Sequence, residues 1–298
     1  MHIRRSAVEL VIQAPAKLNL FFELLARRSD GYHEIETLMC PISLFDTLIF
    51  RRAEHDQIRF GCRCLLPATD VAQKVPLGPD NLVVRAVEAV RRQAGLSRGA
   101  EIQLIKRIPT AAGLGGGSSD AAAALVAANE GWQAGLPHDQ LVQMAAQLGS
   151  DVPFFLARQS AICRGRGEKI ELLANQPPLH FVIVYPPQGL STANVYAAAE
   201  VPTAPRSVQP LLHVLQQGDW RQLGQGLHNR LQPAAERLSP WIRRLEREFE
   251  NQDCLGHRMS GSGTSYFGVW RTARHARRAA ARLRARGLGT VFAVAGCN

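Results

Sequence analysis

The segment PTAAGLGGGSSDAAAALVAAN, Pro109 to Asn129, sets flexible backbone directly against a strong helix former. Gly113, Gly115, Gly116 and Gly117 remove side chains over five positions, so backbone N–H groups can turn toward a ligand and approach it closely. Ser118 and Ser119 are good N-cap residues, and the pattern predicts a helix that begins there and runs through the alanines. Ahead of the loop, Glu101–Ile108 predicts a strand with Ile102, Leu104 and Ile108 along one side. The first N–H groups of a helix lack intrahelical partners, and the dipole adds about half a positive charge at that end. Strand, glycine loop and helix N-terminus together make an anion site suited to phosphate. The form is not a Walker loop, because no Gly-Lys-Ser/Thr follows, and not a dinucleotide fingerprint, because Ser118 stands where a third glycine is required. Taken alone, the stretch reads equally as a phosphate cradle and as a plain glycine-rich turn.

With 298 residues the chain can form one large domain or two ordinary ones. Its composition, 46% hydrophobic and 20% charged, is that of a packed globular protein. No window approaches about 18 uninterrupted apolar residues, so no membrane-spanning helix is expected. The N-terminal basic cluster is followed by an apolar stretch that Glu9 interrupts, too short for a signal peptide. The six cysteines match no zinc spacing, with Cys62 and Cys64 separated by one residue, and read as reduced cytosolic thiols. A net charge of +10 suits either nucleic acid or phosphorylated small molecules. The densest basic run, Arg271 to Gly287, carries apolar positions at 273, 276, 280 and 283. That periodicity predicts an amphipathic helix whose arginines face solvent.

Strands are expected at Val8–Gln13, Ala16–Leu25, Leu44–Arg51 and Gln57–Leu65, with an Asp30-Gly31 turn between two of the apolar runs. Asp80 is placed to cap a helix that ends at Gly95, and a further helix is expected over Pro137–Leu148. A short apolar strand lies between Pro178 and Pro186, and a domain boundary is placed near residue 170. Beyond it, helices within 191–199, 207–217 and 229–250, a Gly/Ser loop feeding a strand, the basic helix and a last strand at Thr290–Ala295 predict a small α+β unit.

Four segments occur in order: PAKLNLFF (Pro15 to Phe22), PTAAGLGGGSS (Pro109 to Ser119), LGSDVPFFL (Leu148 to Leu156) and MSGSGTSYF (Met259 to Phe267). Together they resemble the GHMP small-molecule kinase superfamily. DGYHEIETLM (Asp30 to Met39) and the LGGGSSDAA form resemble the branch that acts on cytidine diphosphate-linked methylerythritol. The resemblance implies an α+β, two-domain GHMP kinase fold. A ribosomal-protein-S5-like N-terminal domain would span 1–170 and a ferredoxin-like C-terminal domain 171–298. It implies ATP as co-substrate with Mg²⁺, phosphorylation of the 2-hydroxyl of the methylerythritol moiety, and a cytoplasmic monomer or homodimer that takes a small-molecule substrate, not nucleic acid or membrane. One departure is visible: Ala111 and Ala112 stand where the family usually has further glycine, and alanine limits φ > 0.

Phosphoryl transfer needs charge neutralised and a hydroxyl aligned with the γ-phosphate. Asp151 follows a predicted helix and reads either as a turn cap or as a carboxylate that accepts the hydroxyl proton. Lys17 lies among apolar residues in a strand, where an ammonium wants a partner. By resemblance these two form the catalytic pair, Lys17 balancing Asp151 and bearing on the transferring phosphate. The ATP-binding stretch is Pro109, Thr110, Ala111, Ala112, Gly113, Leu114, Gly115, Gly116, Gly117, Ser118 and Ser119. Ser118 or Ser119 could reach Mg²⁺ through a hydroxyl, and no acidic metal ligand stands out. Asn19, on the strand face of Lys17, could hold the substrate hydroxyl or Asp151, or merely pair an edge. The resemblance assigns cytosine stacking to Tyr32 and hydrogen bonding to His33, with Thr192 and Tyr196 as the opposite wall. The competing readings are a GHMP kinase for another alcohol, mevalonate- or homoserine-like, and a non-catalytic basic nucleic-acid-binding protein.

Overall fold

The computed structural model describes residues 1–6, 8–66, 75–174 and 176–297. Strand β1 (His2–Arg5) pairs antiparallel with β2 (Leu10–Arg27), and the chain turns at Asp30-Gly31 into β3 (His33–Ala53). Gly31 sits at φ 84°, and Asp30 accepts the Tyr32 N–H, so the expected Asp-Gly turn forms. β2 is one strand where the sequence predicted two. Pro15 cannot donate to the ladder, which suggested a break, but a register shift between Pro15 and Ala16 absorbs it. β3 likewise starts well before the expected Leu44.

β4 (Ile58–Cys64) and β5 (Gly99–Lys106) run parallel, joined through helix α1 (Leu82–Gln93), and β5 also pairs antiparallel with β3. The cap of α1 is Asn81, not the expected Asp80: the Asn81 Oδ1 accepts the Val83 N–H at 2.8 Å. After β5 comes the glycine loop and then α2 (Gly116–Trp132). Its alanines 121–124, 127 and 128 are buried, as expected of a helix apolar on every side. Small side chains let α2 pack against α1, β2 and β3 at once. Helices α3 (His138–Leu148) and α4 (Val152–Ala157) close this layer. β6 (Ala161–Gly165) pairs with β3, and β7 (Lys169–Leu172) with β6.

A second, antiparallel sheet begins with β8 (His180–Tyr185). Helices α5 (Thr192–Ala198), α6 (Gln209–Gln217) and α7 (Leu223–Gly226) precede the two-residue β9 (His228–Asn229), which returns to the first sheet beside Phe21 and Phe22. Then follow α8 (Gln232–Leu238), α9 (Pro240–Glu250), β10 (Gly256–Met259), β11 (Tyr266–Trp270), α10 (Ala273–Ala285) and β12 (Thr290–Ala295). The strand order is β10-β11-β8-β12. α10 buries Ala276, Ala279, Ala280 and Leu283 and leaves its arginines outward, as its periodicity predicts. Among the described residues, no helix is long and apolar enough to cross a membrane.

The two sheets share one core, in which Leu18, Phe21 and Leu38 of the first meet Phe181 and Phe267 of the second. Glu23, fully buried on β2, adds a polar tie. It accepts hydrogen bonds from the Arg230 guanidinium at 2.6 and 2.9 Å and from the Arg206 N–H at 3.0 Å, and its Oε2 lies 3.1 Å from the His228 Nε2. Burial alone would raise this carboxyl. The hydrogen bonds from His228 and Arg230 overcome that and hold it well below the usual range.

Candidate active site

The glycine loop is fastened on three sides. The Lys17 N–H donates to the Leu114 carbonyl at 3.0 Å, docking the loop on β2. The Ser260 hydroxyl donates to the Gly113 carbonyl at 3.0 Å, and the Ser265 N–H donates to the Ala112 carbonyl at 3.2 Å. The loop between β10 and β11, which carries the fourth of the sequence segments, therefore lies on the glycine loop. Asn229 holds that upper loop in turn, its amide donating to the carbonyls of Met259 and Gly261 at 2.7 and 2.8 Å.

Gly113 and Gly115 sit at φ 73° and 69°, backbone that side-chain-bearing residues rarely adopt. Ala111 does adopt it, at φ 50°. The alanine for glycine replacement thus leaves the turn intact at a strain of roughly 1–2 kcal/mol. α2 begins at Gly116, two residues before the expected Ser118, because the left-handed Gly115 makes the entry and no side chain caps it. The N–H groups of Gly116, Gly117 and Ser118 precede the first intrahelical bond, Ser119 N–H to the Gly115 carbonyl at 2.9 Å. Gly116 and Gly117 have ordinary helical φ, so they serve by leaving room rather than by turning.

Beneath this helix start lies a buried charge cluster that sequence reasoning missed. The Lys106 ammonium pairs with Asp46 at 2.5 Å and Asp120 at 2.6 Å. Asp46 also accepts the N–H groups of Arg107 and Ile108 at 2.5 and 2.9 Å. One network therefore pins the loop's entry and its exit into α2. Burial alone would lower Lys106, but the charges of Asp120 and Asp46 raise it, while burial raises the Asp120 carboxyl above its usual range.

Beside the loop stand Lys17 and Asp151. Their ammonium and carboxylate are 3.5 Å apart, with the lysine side chain 5% and the aspartate 30% exposed. Lys17 donates to the Asn19 Oδ1 at 2.6 Å. Asn19 donates to the Thr37 hydroxyl at 2.8 Å, which donates to the Phe21 carbonyl at 2.6 Å. Asn19 is 1% exposed, its amide occupied in orienting Lys17. Asp151 occupies the N-cap position of α4 but makes no capping bond, so its carboxylate is left to the cavity.

That cavity measures about 1340 Å³, more than the 300–1,000 Å³ usual for one small ligand. It gathers Lys17, Asn19, Asp151, Tyr32, His33, Thr192, Tyr196 and the loop from Pro109 to Ser118, except Leu114. Leu114 and Ser119 are buried below the loop and do not line it. At one end the exposed Tyr32 carries the Arg166 guanidinium over its ring at 5.1 Å, and His33 lies against Tyr196 with ring centroids 5.5 Å apart. Burial, then the neighbouring Arg27, lowers His33 and favours its neutral form. The Thr192 hydroxyl is 2.9 Å from that of Ser262, joining α5 to the upper loop. Past the glycines, the wall continues through Pro76, Asn81, Leu82, Leu104 and Lys106. Asn81 could have been found from sequence as a cap competing with Asp80. Arg166 and Lys106 left no local signal.

Among the described residues, no group of three or more His, Cys, Asp and Glu side chains is placed to hold a metal ion. Ser118 and Asp151 both line the cavity, and oxygen donors of this kind suit a hard cation that keeps most of its coordination for water and phosphate.

The model of the GHMP kinases N terminal domain matches residues 81–159, and that of the GHMP kinases C terminal matches residues 211–288. The 4-diphosphocytidyl-2-C-methyl-D-erythritol kinase of Pelotomaculum thermopropionicum is 42% identical, over 91% of this chain and 92% of its own. That of Syntrophotalea carbinolica is 37% identical, over 96% and 98%. A crystal structure of 4-(cytidine 5'-diphospho)-2C-methyl-D-erythritol kinase superimposes with a TM-score of 0.79 at 36% identity, covering 97% of this chain and 99% of that one. A homoserine kinase from Cytophaga hutchinsonii has the same fold, with a TM-score of 0.75 at 18% identity, over 98% of this chain and 96% of its own.

Proposed function

The chain belongs to the GHMP kinases, in the family of 4-diphosphocytidyl-2-C-methyl-D-erythritol kinases, and we infer from this that it moves the γ-phosphoryl group of ATP to the 2-hydroxyl of 4-(cytidine 5'-diphospho)-2-C-methyl-D-erythritol. The reaction gives the 2-phosphate and ADP and serves isoprenoid precursor synthesis. The observation that carries the reading is the Lys17–Asp151 pair, set beside a glycine-lined helix N-terminus in one cavity large enough for two substrates.

Asp151 accepts the proton of the attacking hydroxyl. Lys17, aimed by Asn19, lies between that carboxylate and the phosphate loop and offsets the charge of the transferring group. Asn19 is thus a positioning residue for Lys17. The N–H groups of Gly116, Gly117 and Ser118 and the α2 dipole hold the triphosphate. The wall from Pro76 to Lys106 receives the remainder of the nucleotide. Mg²⁺ would be held mainly by the phosphates with the Ser118 hydroxyl, where it supplies charge neutralisation. The N-terminal unit ends near residue 170, within β7 and ahead of β8, and the protein works in the cytoplasm on a small-molecule acceptor.

Tyr32, His33, Thr192 and Tyr196 form the acceptor end. Base–aromatic stacking is worth about 1–3 kcal/mol per base. Tyr32→Ala should therefore raise the KM for the acceptor roughly 5- to 150-fold, with the KM for ATP nearly unchanged. Steady-state kinetics with each substrate varied in turn checks this. Equal losses for both substrates, or none for either, would remove the cytosine assignment. Turnover with mevalonate or homoserine but not with the cytidyl substrate would replace the acceptor altogether.

A further inference from the structure

The acceptor reading leaves a doubly charged diphosphate, between cytidine and the reacting alcohol, without a partner. Among the described residues, the cations that line the cavity are Lys17, Arg27, Lys106 and Arg166. Lys17 faces Asp151 and Lys106 is engaged by two carboxylates. Arg27 lies opposite His33 across the β2–β3 ladder, at the cytosine end. Arg166 occupies the intervening stretch. It sits at the tip of the β6–β7 hairpin, between Gly165 and Gly167. A side chain at Gly167 would come within 3.6 Å of the Asp151 carboxylate, so this tip abuts the catalytic loop. On its other side the Arg166 guanidinium lies over the Tyr32 ring. Among the described residues it has no ion-pair partner within 4 Å.

We propose that Arg166 binds the diphosphate of the acceptor and so makes the enzyme select a cytidine diphosphate ester over a free nucleoside or a simple alcohol. This rests on the acceptor reading above. The Tyr32 ring contacts the guanidinium from one side, and the guanidinium N–H donors, which make no ion pair among the described residues, are available to phosphate oxygens. The contact also restrains the fork before substrate arrives, so less side-chain freedom is lost on binding. Asp30, at the hairpin turn beside Tyr32, and Glu168, which accepts the Arg166 N–H at 2.7 Å, are the nearby acids. Neither forms an ion pair with the guanidinium.

Calorimetric titration of the full chain with cytidine and with cytidine diphosphate tests the proposal. The wild type should bind the diphosphate more tightly. Arg166→Gln should cut that preference about tenfold or more while cytidine affinity stays within about twofold, the scale of losing a charge-assisted phosphate contact. Arg166→Lys, which keeps the charge and loses the fork, should retain part of it. A preference unchanged in Arg166→Gln, or removed by Arg27→Gln alone, overturns the assignment and leaves the cytidine site standing. A wild type that binds neither probe overturns the acceptor reading and this proposal with it.

Discussion

Asp151→Asn should lower kcat by about 10²–10⁴-fold, the usual contribution of a general base, with ATP affinity and melting temperature close to those of the wild type. The amide has the size and shape of the carboxylate but does not take up a proton at neutral pH. The fold does not lean on this side chain: it makes no capping bond, and Lys17 keeps its bond to Asn19 without it. Single-turnover rates, a calorimetric titration with a non-hydrolysable ATP analogue and a thermal melt separate the three quantities. Turnover within a few-fold of the wild type would remove Asp151 from the role of base.

Gly115→Ala should cost nearly as much by a different route. At φ 69° a side chain is strained, and a Cβ there would lie 2.9 Å from Phe155 Cζ and 3.0 Å from Lys17 Cγ. Phe155 is packed in the core, so Lys17 is the group that gives way. Misplacing a catalytic group by about 1 Å costs on the order of 10²-fold in rate, and the turn itself loses roughly 1–2 kcal/mol. The expected result is a fall in kcat of about 10²-fold with a protein that is still folded. A variant with wild-type kcat would mean that the loop does not set the position of Lys17.

The features that sequence made legible are those written in one short stretch. The phosphate loop needs glycine at particular places and a helix next to it, and both stand in a single run from Gly113 to Asn129. The arginine helix, the Asp-Gly turn and the last strand were equally local. The pair Lys17 and Asp151, 134 positions apart in sequence, came from resemblance, and the fold brings the two groups to 3.5 Å. What stayed hidden depends on distant partners. Lys106 read as one more strand residue, because Asp46 lies 60 positions before it. Arg166 carried no signal of its own, since nothing local links it to Tyr32. β2 read as two strands because a bulge conceals itself as a lost period. Even the helix start was misplaced, since a left-handed glycine does there what a serine cap does elsewhere.

The most direct test of the account is the identity of the phosphorylated product. The chain is incubated with ATP, Mg²⁺ and the cytidyl-diphospho-methylerythritol, ADP release is followed, and the product is examined by phosphorus and carbon NMR. The account predicts ADP release that depends on the acceptor and one new phosphomonoester, its phosphorus coupled to the carbon that bears the methyl branch. ADP released at the same rate without acceptor, or phosphate found on any other hydroxyl, would contradict it.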